Sequence, residues 1–229
     1  MNLRMENTSA TDILQEAVQA HAGRVVFTTS FSAEDQILAD MIVRAGLGIE
    51  IVTLDTGRLF PETYELWAET ERHYGIRVRA FTPERESLES LVNTRGIALY
   101  RLGVEERRSC CRVRKLEPLA RALAGASAWV TGLRREQSVT RTEIAHIERD
   151  EQHGLSKINP LADWSEQDVW NYIRAYEVPY NPLHDRGYPS IGCACCTRAI
   201  KRTESIRAGR WWWEPSEHKE CGLHNRPRH

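Results

Sequence analysis

Six cysteines carry most of the chemistry this sequence can offer, and their spacing sorts them into three groups. Cys110 and Cys111 are adjacent. Cys193 and Cys196 stand in a C-x-x-C relation with Cys195 between them, and Cys221 lies alone in Lys219-Glu220-Cys221-Gly222-Leu223-His224. Neighbouring cysteines make poor disulfides with each other, but both can face a metal centre where the backbone bends. Four thiolates from two such pairs satisfy either a tetrahedral zinc or an iron–sulfur cluster. Cys221 has a different character. Its neighbours His218, Lys219 and His224 are groups that lower a thiol pKa and raise the thiolate fraction, which suits a nucleophile. Gly222 gives that segment the backbone freedom needed to swing into a cleft.

Two loops offer a second kind of chemistry. Ser30-Phe31-Ser32-Ala33-Glu34-Asp35 and Leu54-Asp55-Thr56-Gly57 each follow a β-branched run. In open α/β sheets ligands bind beyond the carboxyl ends of the strands, where a loop entering a helix presents N–H groups to an anion such as a nucleotide phosphate. The chain has no Walker A loop and no Gly-x-Gly-x-x-Gly, so the usual phosphate and dinucleotide fingerprints are excluded. Basic residues gather at matching places: Arg134-Arg135 after Gly132, Lys115 one helical turn beyond Cys111, and Arg207 and Arg210 between the C-x-x-C and Cys221. Arginine forks suit phosphate and sulfate oxygens.

The elements that must position these residues alternate. Val25–Thr29 and Ile49–Leu54 read as strands. Between them Glu34–Ala45 places Ile37, Leu38, Met41 and Ile42 at helical spacing, with Gly46 as a stop. Pro61 opens a helix through Tyr74, Gly75 ends it, and Arg77–Phe81 is a third strand. Glu84–Thr94 and Arg112–Leu123 read as helices and Ala128–Thr131 as a fourth strand. Ser165–Tyr176 is a helix opened by a capping box of Ser165 with Asp168. The alternation predicts an α/β fold with a parallel sheet flanked by helices. Residues 1–208 are expected to form one nucleotide-binding domain that includes the cysteine site, and residues 209–229 a mobile C-terminal tail carrying Cys221.

Composition limits the function classes. The 229 residues hold 31 Lys and Arg against 32 Asp and Glu, a net charge of −1, so nothing polybasic invites nucleic acid or a membrane surface. No stretch approaches the roughly 18–20 apolar residues of a membrane span, and the first residues lack the apolar core of a secretory signal. A cytoplasmic location is expected, where thiols stay reduced and serve as ligands or nucleophiles.

Taken in order, Ser30 to Asp35, Leu54-Asp55-Thr56-Gly57-x-x-Phe60-Pro61-Glu62-Thr63, Cys110-Cys111, Cys193 with Cys196, and Glu220 to His224 resemble the assimilatory adenylyl-sulfate (APS) reductases. These belong with the phosphoadenylyl-sulfate (PAPS) reductases in an adenine nucleotide alpha hydrolase-like fold, and the likeness runs from about residue 25 to 224. The resemblance implies reduction of APS to sulfite and AMP in sulfate assimilation and cysteine biosynthesis. It implies that APS lies at the strand ends, with adenosine near Thr29, Ser30, Phe31 and Leu54 in the loops that include Asp55, Thr56 and Gly57. Lys115, Arg135, Arg207, Arg210 and His224 would face the phosphosulfate. Cys221 would attack the sulfate sulfur to give an S-sulfocysteine, and thioredoxin would release sulfite. The same resemblance assigns a [4Fe–4S] cluster to Cys110, Cys111, Cys193 and Cys196, leaves Cys195 outside the ligand set, and gives the cluster a structural and electrostatic role in which Lys115 couples it to substrate.

Alternatives remain at this level. PAPS reduction, alone or beside APS, is the first, although PAPS reductases generally lack the cysteine pairs. A tRNA-thiolating enzyme is the second, but its Ser-Gly-Gly-x-Asp-Ser loop and basic RNA surface are missing. A non-catalytic zinc module is the third. A homo-oligomer is compatible with the sequence, and neither nucleic acid nor a membrane is expected as a partner.

Overall fold

The computed structural model describes residues 9–137, 143–215 and 222–223, so Cys221 and His224 lie outside the described residues. The element order is α1 (Ala10–Ala20), β1 (Arg24–Thr29), α2 (Ala33–Arg44), β2 (Ile49–Leu54), α3 (Pro61–Tyr74), β3 (Arg79–Phe81) and α4 (Arg85–Arg95). There follow α5 (Val104–Cys111), a π-turn (Arg112–Leu116), α6 (Glu117–Leu123), β4 (Ala126–Val130), β5 (Ile147–Asp150), β6 (Leu155–Ile158) and α7 (Glu166–Tyr176). Among the described residues no helix is long and apolar enough to cross a membrane.

Six strands form a sheet in the order β3-β2-β1-β4-β6-β5. β1 pairs in parallel with β4, and β4 with β6, as the alternation predicts. The edge strand β5 departs from that expectation, because it pairs antiparallel with β6. This hairpin escapes the sequence pattern because Glu148, Arg149 and Asp150 are polar. An edge strand needs no apolar face on both sides, and its charges discourage pairing with another chain. Glu148 lies opposite Lys157 in the register, and the two form an ion pair at 3.4 Å.

The chain folds into two compact units. The first comprises residues 1–52, 65–79 and 123–181, and the second residues 53–64, 80–122 and 182–229. The core of the first is aliphatic, with Val25, Phe27, Ile37, Leu38, Ile49, Ala128, Val130 and Ile158 buried together. Helix α1, whose capping box joins Ser9 and Asp12, adds Ile13 and Leu14 to it; its amphipathic repeat is legible in the sequence but was not among the expected elements. The core of the second is smaller and is built from Leu91, Leu99, Tyr100, Val113, Trp211 and three cysteines, Cys110, Cys193 and Cys196.

The expected helix over Arg112–Leu123 begins earlier, at Val104, and is interrupted. Pro118 has no N–H to give, and its ring crowds the carbonyl four residues back, on Arg114. The chain answers by widening into the π-turn, where the Glu117 N–H donates to the Arg112 carbonyl, five residues back. The widening follows directly on Cys111 and carries Arg114 and Lys115.

Candidate active site

In the first unit, the loop after β1 is held by its own side chains. The Ser30 N–H and hydroxyl both donate to Asp35 Oδ2 at 2.7 Å, the Phe31 N–H donates to Thr29 Oγ1 at 3.0 Å, and Ser32 caps α2 by accepting from the Asp35 N–H. Phe31 takes a left-handed backbone, φ 59°, which costs a non-glycine residue strain that surrounding structure must hold. Its buried ring does so by stacking on Trp67 with centroids 5.7 Å apart. Gly132 completes the arrangement. A Cβ there would meet Asp35 Oδ1 at 2.5 Å, so only glycine lets the end of β4 approach this carboxylate.

Burial pushes the Asp35 carboxyl up to about 6, against the lowering pull of the Ser30 and Ser32 donors. Its neighbour Glu34 is affected by the same burial. There the Arg134 guanidinium, at 2.9 Å, and the Gln137 amide more than cancel it and hold the carboxyl below the usual range. Arg135, expected to face a phosphosulfate, here pairs with Asp163 and donates to the Ile144 carbonyl at 2.8 Å.

In the second unit, the Asp-Thr-Gly loop is knitted to the cysteines. Gly57, at φ 66°, donates to Asp55 Oδ1, which also accepts from Tyr64 Oη at 2.7 Å. Burial, followed by that hydrogen bond to Asp55, pushes the Tyr64 phenol up to about 12. Thr56 is buried, and its hydroxyl lies 3.4 Å from Cys193 Sγ while its carbonyl accepts from Arg114 at 2.6 Å. Two residues on, the Arg58 carbonyl accepts from the Ala194 N–H at 2.8 Å. The Arg58 guanidinium sits 5.0 Å over the Tyr100 ring and donates to Cys195 Sγ at 3.7 Å and to the Ile97 carbonyl.

Cys110, Cys111, Cys193 and Cys196 are all free thiols and all buried, at 7–8% exposure; Cys195 is half-buried. Cys195 and Cys196 have their sulfurs 3.7 Å apart. Hydrogen bonding from Cys196, aided by Arg58, draws the Cys195 thiol down, and the same contact with burial pushes Cys196 up. Burial also raises Cys110, although the charges of Arg58 and Arg114 oppose it. Cys110, Cys193 and Cys196 pack in one buried cluster, and Cys111 lies near enough to act on Cys196. Among the described residues, no three His, Cys, Asp or Glu side chains converge on the position of a single metal ion.

Among the described residues of this unit, four buried N–H donors have no hydrogen-bond partner: Arg114 Nε, Arg210 Nε, Trp211 Nε1 and Trp213 Nε1. Leaving a buried donor unpaired costs roughly 1–3 kcal/mol. Buried thiols, two flanking guanidinium groups and orphaned donors together fit an anionic, thiolate-ligated group.

Arg210 is itself buried. It reaches the Ile191 carbonyl at 3.1 Å and lies so close over Gly192 that a Cβ there would overlap its guanidinium. Lys115 is half-buried in the π-turn, and Arg207 is half-buried too.

A family model, the phosphoadenosine phosphosulfate reductase domain, matches residues 24–199. The chain belongs to that family. Within this reductase family it is similar to the adenosine 5'-phosphosulfate reductase of Allochromatium vinosum, 59% identical over 202 residues that make up 88% of this chain and 79% of that one. It is also similar to the adenosine 5'-phosphosulfate reductase of Burkholderia cepacia, 50% identical over 213 residues, covering 93% and 85%. Among solved structures it matches a phosphoadenylyl-sulfate (PAPS) reductase from Candida auris in a phosphate complex, with TM-score 0.70, 29% identity, and 85% and 97% of the two chains covered. An FMN adenylyltransferase of Candida glabrata, TM-score 0.56 at 16% identity over 96% and 72% of the two chains, shares the fold alone. The expected adenine nucleotide alpha hydrolase-like architecture is therefore present, with one antiparallel edge strand added to the parallel sheet.

Sequence reasoning within this reductase passed over Arg58, Arg107, Arg114 and Glu214. Arg58 had a signal, since it follows Gly57 in a singled-out loop. Arg114 lies one residue before Lys115 in a run with Arg107, Arg108 and Arg112, and only burial tells these arginines apart.

Proposed function

We propose that this chain reduces adenosine 5'-phosphosulfate to sulfite and AMP with thioredoxin as reductant, in the cytoplasm. The observation that carries the reading is the burial of Cys110-Cys111 with Cys193 and Cys196 beside the Thr56 loop, in a chain half or more identical to proteins named adenosine 5'-phosphosulfate reductase. In the first unit the residues we assign to substrate are Thr29, Ser30, Phe31 and Arg135. In the second they are Leu54, Asp55, Thr56, Gly57, Lys115, Arg207, Arg210 and His224.

The Cys221 thiolate forms a bond to the sulfate sulfur while the bond from that sulfur to the phosphate oxygen breaks, and AMP leaves with the electron pair. The product is an S-sulfocysteine. A thiolate of thioredoxin then attacks Cys221 Sγ and expels sulfite, and its second thiol resolves the mixed disulfide, so the dithiol supplies both electrons. Because AMP is a good leaving group, the protein's task is to bring two anions together and balance their charge. Lysine and arginine do this for the phosphosulfate, and Asp35 keeps the Ser30 loop in shape by accepting its two hydrogen bonds. A [4Fe–4S] cluster held by Cys110, Cys111, Cys193 and Cys196 would supply a fixed charge centre and tie the two cysteine segments to one another. Cys195 is left outside that set.

Anaerobic incubation of the purified protein with APS, followed by intact mass, tests the reading. A sulfonate adduct on Cys221 is expected without thioredoxin and disappears when thioredoxin is added. Its absence, or normal sulfite production by Cys221→Ser, overturns the mechanism. The likeness to a solved PAPS reductase makes PAPS the second substrate to test, and the same assay run with PAPS decides between strict and dual specificity. Iron and sulfide analysis separates a cluster from zinc.

A further inference from the structure

Arg107 is among the most deeply buried side chains of the second unit, at 1% exposure, and it is charged. Its guanidinium makes two hydrogen bonds to the Glu214 carboxylate, at 3.1 and 2.8 Å, with Glu214 buried as well. Such a pair survives burial only with close geometry and further partners. Arg107 has both: Cys111, one helical turn further on, favours its charge, and it lies 4.6 Å over the Trp211 ring. Burial works to lower its pKa, but Glu214 and Cys111 outweigh that and raise it.

Trp211 is held by further contacts. Arg210 lies 4.7 Å from the ring, the Trp211 N–H donates to the Cys196 carbonyl at 3.1 Å, and the Glu214 N–H closes a turn onto the Trp211 carbonyl at 2.8 Å. Trp211 holds this place with a left-handed backbone, φ 39°, a strain the contacts must offset. Residues 210–214 thus touch both cysteine segments: Cys196 through the backbone, and Cys111 through Arg107.

We propose that residues 210–214 form one wall of the cysteine site, and that the Arg107–Glu214 pair couples loading of that site to the seating of the segment leading to Cys221. The proposal rests on the APS reductase reading for its functional meaning. Glu214 stands seven residues before Cys221, and seven residues of chain reach at most about 25 Å, so the seat of Glu214 limits how far from it Cys221 can lie. Coupling of this kind is reciprocal: whatever loading contributes to seating, seating contributes to retention of the load, by the same factor.

The test compares anaerobically prepared, iron-loaded protein with chelator-stripped protein and with a loaded Glu214→Gln variant, by amide hydrogen exchange of a peptide covering residues 208–216. Stripping is expected to accelerate exchange there by about 10-fold, and Glu214→Gln to do the same while speeding iron loss to a competing chelator by a like factor. A peptide from α4, in the same unit, is the control. Equal acceleration in α4 means general loosening and overturns the proposal, as does unchanged exchange at 208–216. Should Glu214→Gln fail to fold, the loaded and stripped forms of the unsubstituted protein decide the matter by themselves. A parallel single-turnover reaction with APS keeps the two readings apart. Loss of Cys221 sulfonate in Glu214→Gln, with APS binding intact, supports the coupling. Absence of the adduct even in the unsubstituted, loaded protein sinks the APS reductase reading, and the exchange arm then judges the wall alone.

Discussion

Both units pair buried charges within the protein, and they differ in the thiols and unpartnered donors that lie buried beside those pairs. In the first, buried charges are satisfied within the protein: Arg134 holds Glu34, and the fully buried Asp40 accepts from Tyr74, Tyr172 and Arg44. In the second, Arg107 holds Glu214 in the same way, but three core positions are thiols and, among the described residues, four buried N–H donors stand without partners, where the first unit leaves Gln36 Oε1 so. The buried thiols, the guanidinium groups beside them and the unpartnered donors support the thiolate-ligated group proposed for the second unit. The contrast teaches where to expect stability from packing and where to expect it from a bound group.

The contrast breaks most visibly at the cysteines. Cys193→Ser is expected to lose bound iron and to lower sulfite production by more than about 100-fold, because a structural thiolate-ligated centre contributes folding energy outright. Protection of β1 and β4 amides in the first unit should stay as it is, and loss of that protection would contradict the separation.

In the first unit the largest effect is expected from ordinary packing. Phe31→Ala removes a buried ring stacked on Trp67 and is expected to cost about 3–5 kcal/mol in denaturant unfolding, with iron content unchanged. Gly132→Ala forces a Cβ against Asp35 Oδ1 and is expected to cost about 1–3 kcal/mol.

The pH dependence sharpens the comparison further. Asp35 binds its proton more tightly in the folded chain, about 6, than its ordinary value of 3.8, so the folded state holds more protons between those values. Its contribution to stability is complete below pH 4 and is lost as pH rises through 6, by roughly 3 kcal/mol at most. Glu34 acts the other way, losing its contribution as pH falls, so the comparison needs a variant. Asp35→Asn should flatten the decline between about pH 4 and 6 in urea midpoints; an unchanged slope would mean that burial does not govern this carboxyl. The smallest effect is expected from Thr56→Val, about 1 kcal/mol, through loss of the hydroxyl contact with Cys193 Sγ.

Much of the frame was legible because its signals are local. The Ile37–Ile42 spacing marks α2, Pro61 and Gly75 bracket α3, and Ser165 with Asp168 caps α7, each within a few residues of the element concerned. The β5–β6 hairpin was not legible, since an edge strand can be polar, and neither was the π-turn, which arises from the clash of Pro118 with the helix carbonyl before it. At the site, residue types and order were enough to single out the cysteine pairs and the Asp-Thr-Gly loop.

What the sequence by itself determined is chemistry written in short range: which residues are thiols, which are bases, which turns and caps punctuate the chain. Which of many arginines would be buried, and against what, only the tertiary structure decided. Arg107 meets a carboxylate 107 positions away, and Arg114 a carbonyl 58 positions away, through contacts that no local pattern encodes. Burial is a property of the packed whole, so the charges that shape the cysteine site emerge only when distant segments close around them.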